Sequence, residues 1–346
     1  MEKILVVFTG GTIGTRAAGG VLDVDADVGY LLLDEFYRRA EIAVEFETLQ
    51  PLNILSENLR PAHWETLYNT LAAQDLSGYA GVIITHGTDT LPYSTAAFSY
   101  LLRGLGLPVV FVSSNASIGA ANSNGVDNFV GAVRFVLNAR LPGVFATFRG
   151  ADRRVVVYLG TRLREADSDD RFTAERGLEF GAIVDGAFAR NEDARNVTAA
   201  ELFAVPRAEL LREIRLTREV LCVSPYPGLD YAMFDLETRR PAAVLHRLYH
   251  SSTACVEGEE HSLVAFAERC ARLGIDLYLY DCGHWTDESV YATGRALMRT
   301  GARALTGIAF EAAYAKLVVA YNQGAVAAAE YMRRNVAFEF TGSRDE

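Results

Sequence analysis

Five residues, Gly81-Val-Ile-Ile-Thr85, run directly into His86-Gly-Thr-Asp-Thr90. A short, uncharged, β-branched run of this kind predicts a strand buried on both faces, which requires a parallel sheet covered by helices. The run stops at Gly87, where the backbone can turn freely. Thr88, Asp89 and Thr90 then precede a helical pattern over Tyr93–Leu105. Small polar residues between a buried strand and a helix start sit at the carboxyl edge of the sheet. Open α/β folds bind their ligands there.

The same grammar recurs along the chain. Lys3–Phe8 reads as the first buried strand and is followed by Thr9-Gly-Gly-Thr-Ile-Gly14. No Gly-Lys-Ser/Thr follows, and glycines 10, 11 and 14 do not fit G-x-G-x-x-G, so neither phosphate-binding motif is met. What remains is a glycine-bracketed Thr12 at a second strand end. Residues 15–29 form a stretch rich in Ala, Gly and Asp, read either as a lid or as a solvated connection. Ser56-Glu57-Asn58 is a third polar strand end, ahead of a helix from Pro61 to about Gln74. Leu107–Ser113 is a further strand, ending in Ser113-Ser114-Asn115, and Gly143–Phe148 and Arg153–Gly160 continue the series. Alternation of strands and helices predicts a parallel sheet with right-handed crossovers. The charged run Thr161–Arg171 follows the last of these strands. The expected architecture is α/β in two domains. A larger N-terminal parallel-sheet domain spans 1–190, a charged connector spans 191–217, and a smaller Rossmann-like α/β domain spans 218–346.

Composition narrows the function classes. With 346 residues, two domains are the default. A formal net charge of −11 argues against a phosphate-backbone partner, which would select clustered Lys and Arg. No apolar run approaches the ~18 residues of a membrane span. The opening Met1–Phe8 is too short an apolar stretch for a signal peptide and enters a strand at once. Cys222, Cys255, Cys270 and Cys282 are widely spaced without a C-x-x-C pair, so buried free thiols are expected rather than zinc or disulfides. A cytoplasmic setting follows.

Thr9-Gly-Gly-Thr-Ile-Gly14 together with His86-Gly-Thr-Asp-Thr90 resembles the two signatures of the bacterial-type L-asparaginases, the asparaginase/glutaminase family. Leu55-Ser-Glu-Asn58 with Pro61 resembles the family's substrate-binding segment, and Tyr226-Pro-Gly228 the opening of its C-terminal domain. Tyr291-Ala-Thr-Gly294 and Glu311-Ala-Ala313 are similar to its later helices. The resemblance implies two α/β domains, a homodimer or homotetramer, and a small amino-acid or amide substrate. It also implies no metal or organic cofactor, and hydrolysis of a side-chain amide through a threonine acyl-enzyme with release of ammonia.

Carried over by position, the resemblance makes Thr12 the nucleophile and Thr88 the second reactive threonine. Asp89 becomes the anchor of a substrate α-ammonium and Ser56 the binder of its α-carboxylate, with Glu57 beside it. Backbone N–H groups around Thr88 and Asn115 are implied oxyanion donors. Two departures stand out. The family's lid tyrosine falls near Val21, and residues 16–29 contain no hydroxyl side chain. The family's lysine falls at Arg164 or Glu165; an arginine stays protonated, and a glutamate reverses the local charge. Ser123-Asn-Gly125 replaces the usual Ser-Asp-Gly, and Gly307-Ile-Ala309 the usual Asp-Met-Thr.

Each residue also has a plainer reading. Thr12 or Thr88 taken singly suits a helix N-cap, and Asp89 a first-turn acid. Arg164 and Glu165 suit solvated surface charges. His86 suits a residue that orients its loop, and His284 a structural role. Three functions stay open: an asparaginase-type amidohydrolase, a member with a shifted amide or ester substrate, and a non-catalytic amino-acid binder.

Overall fold

The structure is a computed structural model. It describes the chain except residues 12, 14, 19–20, 25–27, 151, 287–289, 325 and 343–346, and for 15–18, 21–24 and 28–29 it describes the backbone alone. The chain forms two compact units, one comprising Met1–Arg215 with Asn335–Glu346, the other Leu216–Arg334.

The first unit is built on an eight-stranded sheet. Its strands in chain order are β1 (Glu2–Val7), β4 (Val44–Leu49), β5 (Gly81–Thr85), β6 (Pro108–Val112), β7 (Gly143–Arg149), β8 (Val155–Leu159), β11 (Gly181–Val184) and β12 (Ala187–Arg190). In space they run β12-β11-β8-β7-β6-β5-β1-β4. From β4 to β7 every pairing is parallel. The expectation of a parallel series reaching Gly160 stops there, because β8, β11 and β12 pair antiparallel. The physical reason is connection length. Only a few residues separate β7 from β8, and a parallel return needs a crossover of a dozen or more.

Helices α1 (Val28–Arg39), α2 (Pro61–Ala72), α3 (Leu91–Leu101) and α4 (Gly125–Arg134) supply the crossovers. All five residues of β5 and of β6 are buried, as their uninterrupted apolar composition requires. The stretch 15–29 holds a two-stranded antiparallel hairpin, β2 (Thr15–Ala18) with β3 (Val21–Val24). The charged run at 161–171 begins a second small pair, β9 (Leu163–Arg164) with β10 (Thr173–Ala174).

The unit boundaries differ from those read in the sequence. The stretch 191–217 is not a free connector, since Asn196, Val197 and Leu202 are buried and the last two join the larger core. Helix α5 (Ala199–Phe203) is nucleated there by a capping box in which Thr198 and Glu201 satisfy each other's backbone N–H groups. The chain also returns after the second unit. Thr161 Oγ1 donates to Ala337 O at 2.9 Å and Arg162 Nε to Phe338 O at 2.9 Å. Burial lowers the Arg162 guanidinium to about 10, partly offset by the Glu339 carboxylate, so it stays charged at neutral pH. Buried charges and short backbone segments of this kind leave little trace in a hydropathy pattern.

The second unit carries a four-stranded parallel sheet. Strands β13 (Val220–Val223), β14 (Ala243–Arg247), β15 (Asp276–Tyr280) and β16 (Arg303–Leu305) lie in chain order. Helices α6 (Leu263–Leu273), α7 (Ala292–Met298), α8 (Phe310–Gln323) and α9 (Ala328–Arg333) accompany them. This is the smaller α/β unit expected. All four cysteines are free thiols, but only Cys270 and Cys282 are buried; Cys222 and Cys255 are exposed. No helix among the described residues is long and apolar enough to cross a membrane.

Candidate functional site

The parallel strands of the larger sheet, counted by appearance within that sheet, stand in the order 2-1-3-4-5. In such a sheet the connections leave the first and third strands towards opposite sides. A crevice therefore opens outside their carboxyl ends, and ligands bind at this switch point. Here those strands are β1 and β5. The segments beyond them are Phe8–Ile13 and His86–Thr90.

The two segments are pinned together from their first residues. Thr9 Oγ1 donates to Thr85 O at 2.6 Å, and Thr9 N–H donates to Thr85 Oγ1 at 3.3 Å. Further out the backbones touch. A Cβ on Gly11 would lie 2.3 Å from Gly87 N, and Gly11 holds φ +74°. A Cβ on Gly87 would lie 2.4 Å from Ser56 Oγ. Glycine at both positions is thus a steric requirement. The segment after β4 joins the same crossing: Gly11 N–H donates to Ile54 O at 2.8 Å, and Ile54 N–H to Thr9 O at 3.0 Å.

Thr12 lies outside the described residues, and so does any side chain near Val21 in the hairpin. Thr88 is partly exposed, one residue beyond Gly87. Helix α3 takes Thr90 as its N-cap, and the Thr90 hydroxyl donates to Ser56 O at 2.9 Å instead of capping. Asp89 is exposed, and Ser56 Oγ stands 3.4 Å from its Oδ2. Ser56 is buried while Glu57 projects to solvent, both on the same short turn. Ser56, Thr88 and Asp89 therefore gather around one crossing.

Asn115 is occupied elsewhere. Its N–H donates to Asn124 Oδ1 at 3.0 Å, and its Oδ1 accepts from Asn124 N–H at 3.0 Å. The reciprocal pair closes the loop after β6 onto the start of α4, which takes the Asn115 N–H out of an oxyanion role. Arg164 pairs with Glu175 at 2.9 Å. Glu165, though exposed, accepts from the Tyr93 hydroxyl at 2.7 Å and is thereby held beside the first turn of α3. Tyr30 is 64% exposed on α1.

One arrangement was not legible in the sequence. Trp64 Nε1 lies 2.8 Å from Ser94 Oγ, Ser94 Oγ 2.8 Å from His86 Nε2, and His86 Nδ1 2.8 Å from Gly87 O. The Gly87 carbonyl only accepts, so the ring proton sits on Nδ1; Nε2 then accepts from the Ser94 hydroxyl, which itself accepts from the Trp64 N–H. Burial lowers the His86 imidazole to about 4, against the raising effects of Gly87 O and Asp89. His86 is a neutral strut that sets the Gly87 carbonyl, not a base for Thr88. Because unfolded His86 titrates near 6.5, the unfolded chain binds the extra proton first as pH falls. Stability is complete above about 6.5 and drains towards 4 by at most ~3 kcal/mol from this residue. His246, also lowered to about 4 by burial, adds to the loss in the second unit. Urea midpoints measured from pH 7.5 to 4.5 are expected to fall across this window, and His86→Gln to flatten part of the slope.

Among the described residues no group of His, Cys, Asp and Glu could hold a metal ion. The family described as "Asparaginase, N-terminal" matches residues 3–208. The chain belongs to the asparaginase family. Curated relatives include a glutamyl-tRNA(Gln) amidotransferase subunit of Pyrococcus abyssi, 25% identical over 357 residues, covering 99% of this chain and 77% of that protein. The protein of the same description from Pyrococcus furiosus is 27% identical over 360 residues, with the same coverage. Among solved structures, the thermostable L-asparaginase from Thermococcus kodakarensis superposes with a TM-score of 0.77 at 24% identity, covering 99% of this chain and all of the other. L-asparaginase I from Vibrio cholerae gives 0.77 at 21% identity, covering 98% and 99%. These likenesses show that the family's two-unit fold extends over essentially the whole chain.

Proposed function

We propose that this chain is an amidohydrolase that cleaves a side-chain amide, of asparagine or a related small amide, through a threonine acyl-enzyme. The observation that carries the reading is the contact of Gly11 with Gly87 at the switch point. Thr12 and Thr88 are each the next residue, one peptide unit or about 3.8 Å along the chain. In this reading the Thr12 hydroxyl attacks the amide carbon and ammonia leaves. Water then cleaves the ester, releasing a carboxylate and restoring the hydroxyl. Asp89 takes the substrate's ammonium and Ser56 its carboxylate, and the backbone around Thr88 faces the oxyanion. The relatives named as amidotransferase subunits suit a reaction that frees ammonia from an amide.

Glu165, held by Tyr93, is the better of the two candidates for the place of the family lysine, because Arg164 is engaged with Glu175. A carboxylate there favours the shifted-substrate alternative. Burial first, and then Asp89, Asp167 and Asp169, raise the Asp170 carboxyl, so that acid stands close to the residue assigned to the ammonium. A substrate with added positive charge fits such surroundings better than asparagine does. The reading further includes a homo-oligomer and a cytoplasmic setting.

Purified protein incubated with asparagine, glutamine and a panel of neutral and cationic amides is expected to release ammonia from at least one. Asp89→Asn is expected to raise KM for that substrate about tenfold or more, the worth of one charge-assisted hydrogen bond, with a smaller change in kcat. Thermal stabilisation by an amino acid without turnover of any amide would leave the non-catalytic alternative.

A further inference from the structure

A cavity opens on the opposite edge of the larger sheet, where β6 and β7 begin and α3 ends. Its floor is apolar and buried: Leu102, Val144 and Leu159 at 4% exposure and Leu202 at 3%. Its rim carries Phe203, an aromatic ring left 62% exposed. The rim is shaped by two left-handed glycines after α3. Gly104, at φ +86°, accepts at its carbonyl from Ala208 N–H at 3.0 Å, and a Cβ on Gly106 would lie 2.9 Å from Arg207 Cζ. The Arg207 guanidinium thus lies against Gly106 in the cavity lining, and it makes no hydrogen bond or ion pair with any described residue. Arg103, which also lines the cavity, donates its Nε to Val336 O at 2.8 Å.

The cavity volume is about 90 Å³. A single water needs about 10–15 Å³ by this measure, so a ligand of roughly six to nine heavy atoms fits. An apolar floor selects a short hydrocarbon tail. Two guanidiniums select an anionic head, and a carboxylate matches their planar fork. The carbonyl end of α3 opposes an anion with only about half an elementary charge, which two full cations outweigh.

We propose that this cavity binds a small carboxylate with a short apolar tail, and that its occupation stiffens α3. That helix spans 11 residues, ~16 Å, and begins next to Thr88, Asp89 and Thr90. The site therefore lies at the far end of an element that also carries the candidate site.

Titration of the full chain with hexanoate, with 1-hexanol and acetate as probes lacking the charge or the tail, tests this. Hexanoate raises the melting temperature where the two controls at equal concentration do not. Arg207→Gln and Arg103→Gln, both on exposed residues, each weaken hexanoate binding about tenfold, and Val205→Trp removes it by filling the entrance. Bound hexanoate slows amide exchange along α3 as far as Ser94. Equal stabilisation by hexanol, or unchanged affinity in both arginine variants, overturns the carboxylate site. Exchange altered only at residues 102–106 overturns the link to α3.

Discussion

Thr12→Ala is expected to abolish ammonia release from whichever amide the chain hydrolyses, by ~10³-fold or more in kcat, while leaving stability nearly unchanged. A threonine hydroxyl is the only group at position 12 able to form the acyl-enzyme, and alanine has nothing to replace it. Thr88→Ala is expected to lower the rate comparably. If the two hydroxyls act as a unit on one carbonyl, the double variant falls little below either single one, because groups that work together are strongly non-additive. Ammonia release in the three variants measures this. Full turnover in Thr12→Ala would end the acyl-enzyme reading. Multiplying losses in the double variant would mean that residues 12 and 88 serve separate purposes.

Gly11→Ala is expected to destabilise the first unit by about 3 kcal/mol and to abolish activity with it. Two costs add. Alanine at φ +74° occupies a left-handed conformation that disfavours any Cβ. That Cβ would also meet Gly87 N at 2.3 Å, and a backbone atom cannot swing aside as a side-chain tip does. Relief requires the segments after β1 and β5 to part, which would strain the 2.6 Å bond between Thr9 and Thr85. Denaturant unfolding checks the stability change, with an unchanged m-value if the loss is local to the native state. Gly119→Ala is the control, since a Cβ there meets nothing within 4 Å. Equal stability of the two variants would mean that the loops do not press together as described.

Much of this protein follows from local chemistry. The short, uncharged runs at 4–7, 81–85 and 108–112, rich in β-branched residues, read as strands buried on both faces, and each is followed by small polar residues. The sequence alone thus yields an α/β chain with hydroxyl-bearing loops after β1 and β5, and the pairing of those two loops carries the family resemblance. It also yields a second, smaller α/β series after about residue 218, because apolar strands resume there.

What the tertiary structure decided are facts of distance between residues far apart in the chain. That β1 lies between β4 and β5, making a switch point, depends on strand order, which periodicity does not encode. Asn115 was a fair oxyanion candidate until Asn124, nine residues on, took its N–H. His86 became a neutral strut because burial keeps it uncharged, with Ser94 of α3 bonded to its ring and Trp64 of α2 bonded in turn to Ser94. The packed stretch around Val197 and the return of residues 335–342 were equally invisible, since each rests on burial supplied by elements elsewhere. Local sequence sets which backbone a segment prefers and which face it must hide. Only packing decides which distant group supplies the hydrogen bond or the charge, and in this chain those distant groups settle what each polar side chain can do.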